Sequence, residues 1–169
     1  MERKNLWAPW RIKYIKGLSE KCDCFICHYF KTPEQDKENF VLWRTQNSIV
    51  IFNRFPYNNG HILIAPIRHI PTFEEANDDE LLELNKLSRD CQKVLFTAIA
   101  PHGFNVGMNF GRCAGAGLPA HLHVHIVPRW DGDTNFMHVC SDTDIISQSL
   151  TELYDQLKEI SLRDNLPSL

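Results

Sequence analysis

Hydrophobic and polar positions change period several times along the chain, and each change marks an element. Between residues 40 and 66 the apolar positions fall in short β-rich runs. Phe40-Val-Leu-Trp-Arg44 and Ser48-Ile-Val-Ile-Phe52 are separated by Thr45-Gln46-Asn47, a hairpin pattern. The turn residues Pro56-Tyr57-Asn58-Asn59-Gly60 lead into a third run, His61-Ile-Leu-Ile-Ala-Pro66. The period then becomes helical: Leu84, Leu87, Cys91, Val94 and Ala98 follow at spacings of 3, 4, 3 and 4. Asp78 and Asp79 are N-terminal helix signals and Pro101 is a stop, which predicts an amphipathic helix of about 22 residues. Residues 104–110 predict a fourth strand, and the glycine-rich stretch Gly111-Arg-Cys-Ala-Gly-Ala-Gly117 turns the chain into a fifth. Ile146, Leu150, Leu153, Leu157 and Ile160 repeat at 4, 3, 4 and 3 and predict a C-terminal helix. The fold class is α+β: a mainly antiparallel sheet of about five strands, a long central helix and a C-terminal helix.

The fifth strand carries the most informative residues, His121-Leu-His-Val-His-Ile-Val-Pro-Arg-Trp130. Alternate side chains of a strand point to opposite faces, so His121, His123 and His125 share one face and Leu122, Val124 and Ile126 the other. A row of imidazoles can supply a nucleophile, a proton donor or metal ligands near neutral pH. A histidine-rich strand edge, an isolated metal site without chemistry, and a catalytic metal held by His-x-His that activates water are the competing readings.

Composition narrows the setting. The length of 169 residues fits one domain, and 43% hydrophobic with 23% charged residues is ordinary for a globular chain. A net charge of −3, with aromatics not interleaved with Lys or Arg, argues against a nucleic-acid binder and against acidic membrane surfaces. Met1–Trp10 has charge but no apolar core, so no secretory signal is expected, and no apolar run approaches a membrane span. Six cysteines in a chain of this size are then expected to be reduced, in a cytoplasmic setting, as metal ligands or simple core residues. Cys22-Asp-Cys24-Phe-Ile-Cys27 contains a Cys-x-x-Cys, with zinc ligation, a redox pair and reduced core cysteines as its readings. A zinc site needs two more ligands, which must come from elsewhere in the chain. Cys91 reads as helix core, and Cys22, Cys113 and Cys140 receive no role.

The triad resembles the His-φ-His-φ-His-φ-φ signature of the histidine-triad (HIT) superfamily of nucleotide hydrolases and transferases. Asn53-Arg-Phe-Pro56, Asn59-Gly-His61 and Ile64-Ala-Pro66 resemble the superfamily's strand–turn–strand, and Asn109-Phe-Gly111 the strand end before its glycine turn. Leu6-Trp-Ala-Pro-Trp-Arg11 and Pro128-Arg-Trp130 are similar to one bacterial branch, which includes diadenosine tetraphosphate phosphorylases. The resemblance covers about residues 5–140. It implies one HIT-like domain over 1–169, with an N-terminal zinc-ligand segment at 1–38, the sheet, central helix and triad at 39–130, and a C-terminal extension with its helix at 131–169.

The resemblance also implies roles. His123 would be the nucleophile and His125 would donate to phosphoryl or bridging oxygens, so that attack on an α-phosphorus gives a nucleotidyl-histidine intermediate. A carbonyl level with the strand would hold the far nitrogen of His123. Asn53, Asn109, Gly111, Gly115, Gly117 and His61 would bind the nucleotide, with Asn53 at the ribose and the glycine loop offering N–H groups to phosphate. Arg112 offers charge beside it. Cys24, Cys27, His69 and His121 would hold a structural zinc ion. Gly117 departs from the pattern, because the commoner hydrolases carry glutamine there and the phosphorylase branch serine. The implied reaction is cleavage of a dinucleoside polyphosphate, with phosphorolysis slightly favoured over hydrolysis and inorganic phosphate as a second partner. The alternatives are a nucleoside phosphoramidate or other nucleotide hydrolase of the same mechanism, and a non-catalytic zinc-stabilised nucleotide-binding module. A homodimer is implied as well.

Overall fold

A computed structural model describes residues 24–133 and 146–169. The Leu6–Arg11 segment, Cys22 and Cys140 lie outside the described residues. The described residues begin with a short helix, α1 (Phe25–Lys31), followed by β1 (Val41–Arg44), β2 (Ser48–Phe52) and β3 (Ile62–Pro66). The long helix α2 (Asp78–Ile99) crosses to β4 (Gly103–Gly107), and β5 (Val124–Arg129) returns between β4 and β3. The last helix is α3 (Leu150–Arg163). Five strands in the order β1-β2-β3-β5-β4, each antiparallel to its neighbour, form the expected sheet.

The strand runs are continuously apolar because both faces of the sheet are covered, which removes the polar half of the usual alternation. Val50 and Phe52 of β2 pack with Ile62, Ile64, Val124 and Ile126 against Leu84, Leu87 and Val94 of α2 and Leu153 and Leu157 of α3. On the other face Ile49, Ile51, Leu63 and Ala65 pack on Ile26 of α1. Asn77 caps α2: its side chain accepts from the Glu80 N–H at 2.9 Å while Glu80 accepts from the Asn77 N–H at 3.0 Å.

Element boundaries differ from expectation where tertiary contacts intervene. Phe40 takes a φ of 54° and stays outside β1. β4 ends at Gly107 rather than 110; among the described residues it is an edge strand paired only with β5. α3 starts at Leu150, capped by Ser149, so Ile146 precedes the helix although it extends the periodic pattern. β5 begins at Val124, which leaves His121 and His123 ahead of the ladder. Leu122 is nevertheless buried with Val124 and Ile126 in the core facing α2 and α3, so the histidines turn toward the other side as the alternation predicts. Among the described residues no helix is long and apolar enough to cross a membrane.

Candidate functional site

The β2–β3 turn brings a fourth histidine to the row. His61 stands just ahead of β3, and the β3–β5 ladder pairs Ile62 with Ile126 and Leu63 with His125. That register sets His61 Nε2 2.9 Å from His125 Nδ1, and the His125 and His123 rings lie 4.9 Å apart. Proton positions follow from groups that can only donate or only accept. The Tyr57 backbone N–H donates to His61 Nδ1 at 3.1 Å, so that nitrogen is unprotonated and Nε2 carries the hydrogen. His61 Nε2–H therefore donates to His125 Nδ1, and neutral His125 keeps its own hydrogen on Nε2. That Nε2 is buried and has no hydrogen-bond partner among the described residues. An unpaired buried donor costs about 1–3 kcal/mol, which an incoming oxygen would relieve.

His123 is fixed in the opposite sense. Its Nδ1 is 2.8 Å from the His121 carbonyl, an acceptor only, so Nδ1–H donates and Nε2 presents a lone pair. This is the backbone hold expected for the middle histidine, supplied by the residue two positions earlier. The site thus sets a bare imidazole nitrogen beside an imidazole N–H. Burial, with the charges of His125 and His123 adding to it, pushes His61 down to about 3. Burial and then His123 push His125 down to about 4, so both are neutral at physiological pH.

The first triad histidine faces a different group of residues. His121 Nε2 lies 2.8 Å from the Pro66 carbonyl, so it donates there and frees Nδ1. That nitrogen is 3.1 Å from Cys24 Sγ and 3.5 Å from Cys27 Sγ, and His69 Nδ1 is 3.3 Å from Cys27 Sγ. One ligand atom from each of the four residues falls within 4.8 Å of all the others. Zinc bonds of about 2.0–2.3 Å directed tetrahedrally give ligand–ligand edges of about 3.3–3.8 Å, so these spacings and donors fit zinc. Burial pushes the Cys24 thiol up to about 11, a cost that a bound cation would reverse. α1, which carries Cys27, is tied to the sheet by Arg44, whose guanidinium donates to the Tyr29 carbonyl at 2.6 Å, the Phe30 carbonyl at 3.1 Å and the Asp36 carboxylate.

The remaining expected nucleotide contacts are placed less directly. Asn53 Oδ1 accepts from the Phe55 N–H at 2.9 Å, and its Nδ2 reaches His61 Nδ1 at 3.3 Å. Its side chain thus builds the turn and supports the tautomer of His61. Gly111 and Gly115 take positive φ values of 79° and 90°. The Gly115 N–H donates to the Arg112 carbonyl and the Ala116 N–H to the Gly111 carbonyl, so part of the loop's donor set closes on itself. Asn109 lies against this turn, its Nδ2 3.9 Å from where a Gly115 Cβ would stand. Sequence reasoning passed over Tyr57 and Arg44. Tyr57 carried no signal beyond its place in a turn, and the carbonyls that Arg44 meets belong to another element.

The chain is similar to known proteins over most of its length. The HIT domain family model matches residues 34–132. The AP-4-A phosphorylase of Mycobacterium tuberculosis is 35% identical over 158 residues, covering 88% of this chain and 80% of that protein. The asymmetrical bis(5′-nucleosyl)-tetraphosphatase of Schizosaccharomyces pombe is 30% identical over 125 residues, covering 74% of this chain and 65% of that protein. Among solved structures, a histidine triad nucleotide-binding protein of Sulfolobus tokodaii superposes with a TM-score of 0.65 at 28% identity, covering 85% and 93% of the two chains. With the family model spanning the sheet, the central helix and the histidine row, this chain belongs to the HIT family.

Proposed function

We propose that this HIT-family enzyme cleaves dinucleoside polyphosphates of the diadenosine tetraphosphate type at an α-phosphate, through a nucleotidyl-histidine intermediate. The observation that carries the reading is the pairing of opposite tautomers, a bare Nε2 on His123 beside an unpaired Nε2–H on His125. His123 Nε2 attacks the α-phosphorus and the bond to the bridging oxygen breaks. The nucleoside polyphosphate leaves as an anion, its developing charge met by the His125 N–H. In the second step an oxygen of inorganic phosphate or water attacks the same phosphorus, the P–N bond breaks, and His123 returns neutral. The names of the two curated relatives span both acceptors, and the phosphorylase is the more similar, which favours phosphate slightly. Asn53, Asn109, Gly111, Gly115 and Gly117 border the nucleotide in this reading, with Asn53 acting also through His61.

Cys24, Cys27, His69 and His121 would hold a structural zinc ion, whose chemistry is to tie α1 to the approach of β5. His121 then ligates while His123 and His125 act on phosphate. We place the enzyme in the cytoplasm, where thiolate ligands stay reduced. We also propose a homodimer through the edge of β4 that no described strand covers, where Val106 is 49% exposed near Phe73 and Phe110 at 44% and 41%. Sedimentation at micromolar concentration showing only monomer would remove that part.

The deciding assay is incubation with diadenosine tetraphosphate with and without inorganic phosphate. Phosphorolysis yields ADP with ATP, hydrolysis yields AMP with ATP, and His123→Ala abolishes either. A labelled nucleotidyl-protein that survives zinc chelation and is lost in His123→Ala supports the covalent route. Binding without turnover, or turnover retained in His123→Ala, overturns it.

A further inference from the structure

Tyr57 is 57% exposed, yet it belongs to the histidine system by two independent contacts. Its backbone N–H fixes the tautomer of His61, as described above. Its ring lies over both imidazoles, with centroids 4.6 Å from His61 at 37° and 5.7 Å from His125 at 20°, a stacked arrangement. The His61 and His125 rings are themselves 5.1 Å apart, so the phenol covers the face where their hydrogen bond runs. The turn that carries it is tied on both sides. Asn53 closes its start, and Asn58 Nδ2 donates to the Pro128 carbonyl at 3.2 Å and to Asp133 at 2.9 Å at its far end. A large flat side chain held over two buried imidazoles and exposed on its outer face has the form of a roof.

We propose that Tyr57 is a positioning residue: its ring shields the shared hydrogen bond of His61 and His125 from water and so holds His125 as a neutral Nε2–H donor. The inference rests on the phosphate-directed role of His125 proposed above and adds the device that maintains it. Water at that face would compete for His125 Nδ1 and stabilise the imidazolium. Among the described residues the titratable groups facing His125 are His61 across the hydrogen bond, His123 on its own segment and Tyr57 itself, and its ladder partners Leu63 and Gly107 bring no charge. Burial is the first cause of the low pKa of both imidazoles, and the Tyr57 ring lies over both of them. The ring, not the hydroxyl, does this, so phenylalanine is the conservative replacement.

The test follows the His61 and His125 imidazole signals of the full chain by NMR across pH 3.5–8, for wild type, Tyr57→Phe, Tyr57→Leu and Tyr57→Ala. Tyr57→Ala is expected to raise the His125 midpoint by about one unit or more. Tyr57→Leu, which keeps bulk without a flat ring, should move it part of the way, and Tyr57→Phe should match wild type. In turnover on adenosine 5′-phosphoryl esters, the limb of the pH profile that reports His125 should move up by the same amount in Tyr57→Ala. Unchanged midpoints in Tyr57→Ala, or Tyr57→Phe behaving like Tyr57→Ala, overturn the proposal. Because the titration needs no substrate, it still decides the point if wild type turns over none of these compounds, a result that would instead overturn the enzymatic reading.

Discussion

Gly60 joins the turn to His61, and replacing it by alanine tests whether the site depends on that junction. The residue has a φ of +76°, where a Cβ meets the following carbonyl; for alanine this costs about 1–2 kcal/mol and has no local relief. The added methyl would also stand 2.9 Å from Ile99 Cδ1, 3.0 Å from Leu95 Cδ2 and 3.2 Å from Pro128 Cγ. The first two are side-chain ends that can shift by tenths of an ångström, whereas the proline ring is stiff and belongs to β5. Overpacking of this kind costs about 1–3 kcal/mol, so with partial relaxation the total is about 2–4 kcal/mol. Urea unfolding of Gly60→Ala should show that loss as a lower midpoint with an unchanged slope. The strain would also pull His61 from its 2.9 Å bond to His125, so turnover should fall by more than the loss of folded protein explains. A destabilisation below about 1 kcal/mol with full activity would refute both the strain and its coupling to the histidines.

Acid should weaken the fold through the same histidines. The folded-state pKa of His61 is about 3 against an ordinary value of 6.5, so between these limits the unfolded chain binds a proton that the folded chain refuses. Its stabilisation is complete above 6.5 and declines by about 1.4 kcal/mol per pH unit below it; urea titrations should therefore lose about 2 kcal/mol from pH 6.5 to 5 through His61 alone. His125 acts in the same direction, discounted for its partial exposure, and a His61→Gln variant with an equally steep decline would show that His61 is not responsible. Stripping zinc with a strong chelator should lower the melting temperature by on the order of 10 °C, the effect of losing a ligand well above its dissociation constant. Cys27→Ser should start from the lower value and respond little to chelator, and an unshifted transition in stripped wild-type protein would count against a structural metal.

The fold was largely legible from periodicity. The central helix appears at Asp78–Ile99 because its apolar spacing, its acidic first turn and the stop at Pro101 all agree. Boundaries were less legible where partners outside the segment set them. Ile146 continues the helical spacing of α3 yet precedes it, because Ser149 supplies the cap. β5 starts at Val124 because His121 bonds to Pro66 at the end of β3 and Leu122 to Ile70 on the segment after it. The candidate site divides in the same way. Alternation was enough to align the three histidines, but it gave no sign that the Asn53 amide would bond to Phe55 and His61.

By itself, the sequence determined which residue types could meet: three imidazoles at every second position, a Cys-x-x-Cys, and strands and helices whose periods commit them to one sheet and its cover. Those are local properties, set by a 3.6- or two-residue repeat and by turn chemistry. Tertiary structure decided what His121 and His125 are, and the local backbone of the folded strand what His123 is. The Pro66 carbonyl frees His121 Nδ1 toward the cysteines, the His121 carbonyl bares His123 Nε2, and the Tyr57 N–H, acting through His61, leaves a hydrogen on His125 Nε2. A tautomer depends on which backbone group lies within about 3 Å of a ring nitrogen, and for Pro66 and the His61–His125 pair that partner comes from a distant part of the chain.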